Sequence, residues 1–118
     1  MSLAEQIYAQ AVLLSGSLDP RQEALAQLLA GGVASTLTAR LKRGLKADDC
    51  RADLVAAGSL YTLAALTEAE GMTDPVSFTA GDLTVHRPDS AAAVRCLRAQ
   101  AELIVGPYLE GRFSFRGV

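Results

Sequence analysis

The sequence predicts a mainly α-helical domain: a small bundle of about four helices around a central buried helix, with one β-hairpin and a short extended C-terminal tail. Apolar residues make up 50% of the chain but aromatic residues only 5%. The core must therefore consist of Leu, Ala and Val, which favours helices over a β-sandwich. The segment 47–70 carries apolar side chains on every face, which is typical of a buried helix. The apolar pattern changes to a period of two only in 76–87 and 111–118.

The chain has 118 residues, which predicts one domain over 1–118 with a single core. Its formal net charge of −2 argues against a surface built for nucleic acid, which is normally basic. We find no signal peptide and no transmembrane span, so we expect an intracellular protein. Cys50 and Cys96 are isolated in the sequence; we interpret them as two buried free thiols, with a disulfide as the less favoured alternative.

Two start signals define the first pair of helices, over about 2–15 and 20–43. Ser2 and Glu5 form a capping box, and Asp19 with Pro20 is a typical N-cap and first helical residue. The Gly31-Gly32 pair costs roughly 1 kcal/mol per Gly relative to Ala, which predicts either close packing against another helix or a bend. The predicted apolar stripe of the second helix consists of Leu25, Leu28, Leu29, Val33, Leu37 and Leu41.

The central helix over about 47–70 contains the apolar run 54–66, in which Gly58 and several alanines would let neighbouring helices approach closely. It ends at Gly71. A last helix over about 89–109 follows, and Gly106-Pro107 should break or kink it. Its predicted stripe consists of Val94, Leu97, Ala101, Ile104 and Tyr108.

The segment 76–87 is predicted to form a β-hairpin with Gly81-Asp82 at the centre of a type II′ turn. This register places Phe78 opposite Val85 and gives the hairpin one apolar and one polar face. An isolated hairpin is marginal in water, so it must lie against the helices or pair with another chain. His86, the only histidine, falls on the polar face, where we interpret it as solvated or hydrogen-bonded rather than catalytic.

The tail 111–118 alternates Phe113 and Phe115 with Arg112, Ser114 and Arg116. Alternation over so short a stretch suggests an extended strand. Two exposed Phe side chains at a chain end would be a liability. The tail therefore either folds back on the core or anchors to a partner, and the sequence leaves both alternatives open.

Two charged clusters have structural explanations that we prefer to functional ones. We interpret Arg40, Lys42 and Arg43 as positive charges that complement the dipole at a helix end, rather than as a phosphate-binding site. We interpret Asp48, Asp49 and Asp53 as acids at the start of a helix, where the dipole favours negative charge, rather than as ligands of a metal site. The sequence contains no G-x-S-x-G, H-E-x-x-H, phosphate-loop or paired-Cys pattern. We expect no enzyme, no cofactor, no metal and no catalytic residues.

The sequence consists of several predicted helices, followed by S-F-T-A-G-D-L-T-V (77–85), a helix ending in Gly106-Pro107-Tyr108, and an aromatic tail. In this layout the chain resembles the small head–tail connector (adaptor, or head-completion) proteins of tailed bacteriophages and prophages. In that family a hairpin similar to x-S-x-x-x-G-D-x-x-V follows a helical bundle, and the final helix often ends near a Pro-Tyr pair. The Gly31-Gly32 pair is not a family feature.

The resemblance implies a structural subunit of a connector ring that docks to the portal and bridges to tail components. It implies ring contacts with further copies, with the portal protein, with the next connector or tail protein, and with non-specific DNA in the channel, but none with a membrane. The expected location is the virion, with assembly in the bacterial cytoplasm. The candidate interface residues lie in the hairpin and the tail: Val76, Phe78, Gly81, Asp82, Val85, His86, Arg112, Phe113, Phe115 and Arg116.

An alternative interpretation is a helical DNA-binding regulator, with the two helices between Asp19 and Glu70 read as helix–turn–helix. The second of these is apolar where a recognition helix carries polar and basic residues, so we prefer the connector. A small-ligand carrier would need a pocket that brings His86 and an acid together.

Overall fold

The computed structural model describes residues 1–71, 78–80, 83–85 and 90–110, and for residues 71, 78–80, 83–85 and 90 the backbone alone. This part of the chain is mainly helical, as predicted. Its helices are α1 (Leu3–Ser15), α2 (Pro20–Ala39), α3 (Arg51–Gly71) and α4 (Ser90–Val105). A 3₁₀ turn precedes α3 at Ala47–Cys50, and a second follows α4 at Gly106–Tyr108.

α3 is the central helix of the bundle, because it packs against each of the other three helices. Its middle is buried, as the all-round apolar sequence predicts. The polar side chains within it satisfy themselves locally: the hydroxyls of Ser59, Thr62 and Thr67 donate to carbonyls one turn earlier at 2.7–2.8 Å. They therefore cost little when buried, since buried polar groups are expensive only when unpaired.

Contacts between named side chains fix the direction of each helix. Arg21 at the start of α2 pairs with Glu70 at the end of α3, and Tyr108 after α4 bonds to Asp53 near the start of α3. α2 and α4 are therefore both antiparallel to α3 and run in the same direction as each other. We call the two ends of the bundle the Glu70 end and the Tyr108 end.

The largest apolar cluster lies toward the Tyr108 end, between α2, α3 and α4. A second cluster joins α1, α3 and α4, and a third joins α1 to α2. The first cluster has ten buried members: Val33, Leu37, Leu41, Cys50, Leu54, Ala57, Tyr61, Ala101, Val105 and Leu109.

Both predicted helix starts carry complete capping boxes. Ser2 Oγ accepts from the Glu5 backbone N–H at 3.1 Å, and Glu5 Oε1 accepts from the Ser2 N–H at 2.8 Å. The second bond lowers the pKa of Glu5, because the backbone N–H favours the ionised carboxylate. Asp19 and Gln22 make the same reciprocal pair at 2.8 and 3.0 Å.

The C-terminal end of α2 differs from the prediction, because the helix ends at Ala39 rather than at about Arg43. The next residues form a β-bridge instead, with Leu41 opposite Leu109. The Lys42 N–H donates to the Tyr108 carbonyl and the Glu110 N–H donates to the Arg40 carbonyl, both at 2.9 Å. These bonds take the place of another helical turn, and Gly44, with φ of +92°, belongs to the following turn.

The buried face of α2 agrees with the predicted apolar stripe at Val33, Leu37 and Leu41 but not at Leu28. The described core face is made by Ala26, Ala30, Val33, Ala34 and Leu37, whereas Leu28 is 76% exposed. The physical reason is the spacing of the helices. Ala30 and Ala34 pack beside Ile7 of α1, and alanines allow a closer approach than leucines.

The prediction that helices pack closely at glycine positions is confirmed at Gly58 but not at Gly31-Gly32. A Cβ at Gly58 would lie 2.5 Å from Ile7 Cδ1 and 2.8 Å from its Cγ1, so α1 and α3 do approach closely there. A Cβ at Gly31 or Gly32 would meet nothing within 4 Å. The expectation of close packing at that pair is therefore wrong.

The remaining boundaries shift by a few residues. Residues 47–50 of the predicted central helix form the 3₁₀ turn, and the last helix ends at Val105 rather than at about 109, because Pro107 has no N–H to continue the helical ladder. Cys96 is exposed rather than buried, and Cys50 is a buried free thiol as predicted.

The structure also records two short strands between α3 and α4. These are β1 (Phe78–Ala80) and β2 (Leu83–Val85), paired antiparallel with Phe78 opposite Val85. The turn at Gly81-Asp82 and all side chains of this segment lie outside the described residues. The predicted hairpin, with its apolar and polar faces and its docking role, therefore stays a prediction.

Candidate functional site

The side chains of all the predicted interface residues lie outside the described part of the structure. Phe78 and Val85 are described through their backbone only. The candidate site can therefore be examined through the described residues from which the two non-core segments, 72–89 and 111–118, depart. Each segment departs from a different end of the bundle.

The segment 72–89 departs from the Glu70 end, where two ion pairs tie neighbouring helices to α3. Arg21 Nη2 lies 2.9 Å from Glu70 Oε2, and the Glu70 side chain is almost completely buried. Arg98 of α4 pairs with Glu68 of α3. Charge-assisted bonds of this kind are stronger and more directional than neutral ones, so the end of α3 is held in place where the chain leaves it.

The tail 111–118 departs from the Tyr108 end. Tyr108 Oη donates to Asp53 Oδ2 at 2.6 Å, and the bridge between Leu41 and Leu109 holds the backbone up to Glu110. The chain is therefore anchored to the bundle as far as Glu110.

Three titratable groups near this end have raised pKa values. The hydrogen bond to Asp53 and the charge of that carboxylate raise the pKa of Tyr108. Burial, with a contribution from Glu102, raises the pKa of Tyr61 to about 12. Burial and the charges of Asp49 and Asp53 raise the pKa of the Cys50 thiol, which keeps it protonated and a poor nucleophile.

The tyrosines predict how stability changes at alkaline pH. Because the folded-state pKa of Tyr61 is about 12 and an unfolded tyrosine titrates near 10, its stabilising contribution is complete below pH 10. That contribution falls as the pH rises from about 10 to 12. Urea unfolding across this range should show the decline, and Tyr61→Phe should flatten it. An equal decline in the variant would contradict the prediction.

The acidic residues at the start of α3 each have a structural partner. Asp49 Oδ2 accepts from the Lys46 backbone N–H at 2.8 Å, Arg51 donates twice to Asp48 at 3.1 and 2.8 Å, and Asp53 accepts from Tyr108. Within residues 1–71 and 90–110, no three His, Cys, Asp or Glu side chains gather as metal ligands would. Asp49 therefore caps the backbone of the turn, whereas Asp48 and Asp53 bond to side chains.

A shallow open depression of about 470 Å³ lies between α1 and α3. Its polar groups already bond to each other, because Arg51 Nη1 donates to Gln6 Oε1 at 2.6 Å. No nucleophile, acid or histidine lines it, so its lining offers no chemistry beyond hydrogen bonding. The lining residues are Gln6, Gln10, Arg51, Ala52, Val55 and Ala56.

Sequence reasoning missed three strongly exposed leucines, among them Leu13 on α1, which is 75% exposed. Leu28 on α2 is 76% exposed and Leu103 on α4 is 81% exposed. A signal for Leu28 was present in the sequence, because no charged residue occurs between Glu23 and Arg40. A helix with one buried face and one solvated face normally has charge on the solvated face.

No protein-family model matches this chain, and no significant match was found among curated proteins or solved structures. None of the helices in the described ranges combines the length and the apolar character that crossing a membrane requires.

Proposed function

We propose that this chain is a structural subunit of a head–tail connector ring of a tailed bacteriophage or prophage. One observation carries the proposal: the segments 72–89 and 111–118 are joined to opposite ends of the helical bundle. Asp53 and Glu70, which mark the two ends, are separated along α3 by roughly 25 Å at about 1.5 Å per residue. A subunit that bridges two neighbours in a stack needs attachment points separated in this way.

The described core supports this proposal, because it is occupied by packing and not by a reaction site. Arg21 with Glu70 at one end and Tyr108 with Asp53 at the other bond within the bundle, and the depression between α1 and α3 lacks catalytic groups. The hairpin over 76–87 and the tail would then supply the contacts with the portal, with further subunits or with the next tail component. DNA would pass through the ring without base-specific contacts.

The burial of α3 counts against the DNA-binding alternative. A recognition helix must expose a polar and basic face that fits the major groove. The middle of α3 is instead covered by α1, α2 and α4, and Leu54, Tyr61 and Leu66 are buried. No feature of the described residues favours the regulator over the connector.

Deletion of Arg112–Val118 tests the proposed function. We expect the shortened protein to keep its helical circular dichroism signal, since the chain is anchored to the bundle through Glu110, but to lose binding to the portal protein encoded by the same genome. The double variant Phe113→Ala, Phe115→Ala should show the same loss. Ser17→Ala, an exposed change in the α1–α2 connection, is the control. Unchanged portal binding after the deletion would refute the role given to the tail.

A further inference from the structure

Residues 106–110, which we call the strap, lead from α4 to contacts with α3 and with the segment after α2. Tyr108 Oη donates to Asp53 Oδ2 of α3 at 2.6 Å. Leu109 forms the β-bridge with Leu41, two residues after the end of α2. The strap therefore connects three helices at the Tyr108 end and is the part of the bundle from which the tail departs.

The strap is joined to α4 through two residues that do not pack against the bundle. α4 ends at Val105, because Pro107 has no N–H to continue the helical ladder. Gly106 and Pro107 are exposed, and a Cβ at Gly106 would meet nothing within 4 Å. A change of backbone direction at this pair therefore displaces no buried side chain.

Few contacts hold the strap to α3 and to the segment after α2. The Lys42 N–H donates to the Tyr108 carbonyl and the Glu110 N–H donates to the Arg40 carbonyl, both at 2.9 Å. The tyrosine hydroxyl supplies a third hydrogen bond, which is the strongest because its acceptor is a carboxylate. Of the five strap residues, Leu109 alone is buried. Within the described residues, the strap is therefore held by three hydrogen bonds and one buried side chain.

Opening of the strap would leave most of the largest apolar cluster in place. Leu41 and Leu109 are two of its ten buried members, and the others belong to α2, α3, α4 or the turn Ala47–Cys50. Parts of a protein with few buried apolar contacts open at a lower free energy than the core. The strap meets this description, whereas the helices that it joins do not.

We infer that the strap opens as a unit about Gly106-Pro107 while α1 to α4 stay folded, and that its opening frees the start of the tail 111–118. In the closed state the chain is held to the bundle as far as Glu110, and in the open state only as far as Val105. The tail then gains five residues of free chain, which extend its reach by roughly 15 Å. The bond between the tyrosine and the carboxylate sets the balance between the two states.

The inference deepens the proposed function, on which its biological use rests, because a longer tether lets the tail reach a neighbouring subunit. The opening itself is a property of the single chain. It can therefore be measured without portal, DNA or any other virion component.

Hydrogen exchange of the full-length protein, followed by NMR, tests the opening. The amides of Lys42 and Glu110 report on the strap, because they donate its two backbone bonds to the segment after α2. The amides of Leu63 and Leu97 report on the interiors of α3 and α4. After correction for intrinsic exchange rates, Lys42 and Glu110 should share one opening constant, at least about tenfold larger than that of the helix amides. Its dependence on urea should be weaker, since little surface becomes exposed.

Two variants assign this opening to the strap. Tyr108→Phe should speed exchange at Lys42 and Glu110 by one common factor of about tenfold or more, the effect of losing a hydrogen bond to a charged group. Ile7→Val weakens the packing of α1 and should speed exchange at the helix amides about threefold. It should leave the two strap amides unchanged, because its contacts persist when the strap is open. Tyr8→Phe, which removes a hydroxyl from α1, is the matched control for Tyr108→Phe and should not change the strap amides.

Three results would overturn the inference. Exchange of Lys42 and Glu110 together with the helix amides would show that the strap opens only when the whole bundle unfolds. Faster exchange at Glu110 than at Lys42 would show fraying from the chain end instead of opening as a unit. Equal rates in Tyr108→Phe and the wild type would remove the bond to Asp53 from the balance. Portal binding that survives deletion of the tail would refute the proposed function without changing any of these rates.

Discussion

Gly58→Val is expected to lower the free energy of unfolding by about 3 kcal/mol, the upper part of the usual range for overpacking a core. Even the first added atom, the Cβ, would lie 2.5 Å from Ile7 Cδ1 and 2.8 Å from Ile7 Cγ1. Ile7 is completely buried, so a shift of its side chain disturbs the packing of its neighbours. Urea unfolding monitored by circular dichroism measures the loss as a reduced midpoint.

The matched controls are Gly31→Ala and Gly32→Ala, which also replace a glycine within a helix. Because a Cβ there would meet nothing within 4 Å, each should raise the free energy of unfolding by up to about 1 kcal/mol through helix propensity and a less flexible unfolded chain. Opposite signs at the two sites are the diagnostic result. A loss of stability in the controls similar to that of Gly58→Val would contradict the described packing.

A double-mutant cycle identifies the clash itself. Ile7→Ala alone should be destabilising, because it leaves a cavity between α1 and α3, with a cost of about 2–5 kcal/mol. Combined with Gly58→Val, it should cost much less than the sum of the two single changes, since the valine fills the space that the isoleucine vacates. Simple additivity would show that the two side chains do not share this space.

The features that sequence reasoning predicted well are those with a local cause. The starts of α1 and α2 follow from Ser2 with Glu5 and from Asp19 with Pro20, where the cap and its partner are a few residues apart. The central position of α3 follows from its all-round apolar sequence. Each of these depends on a pattern within one segment, which a sequence displays directly.

The features that sequence reasoning missed depend on contacts between distant segments. α2 ends early because Leu41 forms a β-bridge with Leu109, and no sequence pattern near Leu41 predicts this bridge. The phase of α2 was predicted from its large apolar residues. A helix that packs closely against its neighbour buries its alanines instead. The short distance between α1 and α2 is a tertiary feature that the sequence of α2 alone does not display.

The segments that we propose to be functional stay predictions, because their side chains lie outside the described residues. They differ from the rest of the sequence by a change of apolar period, which is a local signal. The exposure of Leu28 and Leu103 became visible only once the structure had divided the apolar residues of α2 and α4 into buried and exposed ones. A stripe of apolar residues does not by itself show which of its members face solvent.

Leu37→Ala and Leu28→Ala test directly which leucines of α2 are buried and which are exposed, because the sequence places both in one predicted apolar stripe. Leu37 is completely buried in the largest cluster, whereas Leu28 is 76% exposed. Leu37→Ala should therefore lower the free energy of unfolding by about 2–5 kcal/mol, from lost burial and the cavity left behind. Leu28→Ala should change it by less than about 0.5 kcal/mol, as exposed substitutions do.

The comparison is best made by urea unfolding of both variants under the same conditions. If Leu28→Ala proved as costly as Leu37→Ala, α2 would be rotated relative to the described bundle. Its outer face would then be part of the core, and the alanines that the bundle places inside would face solvent.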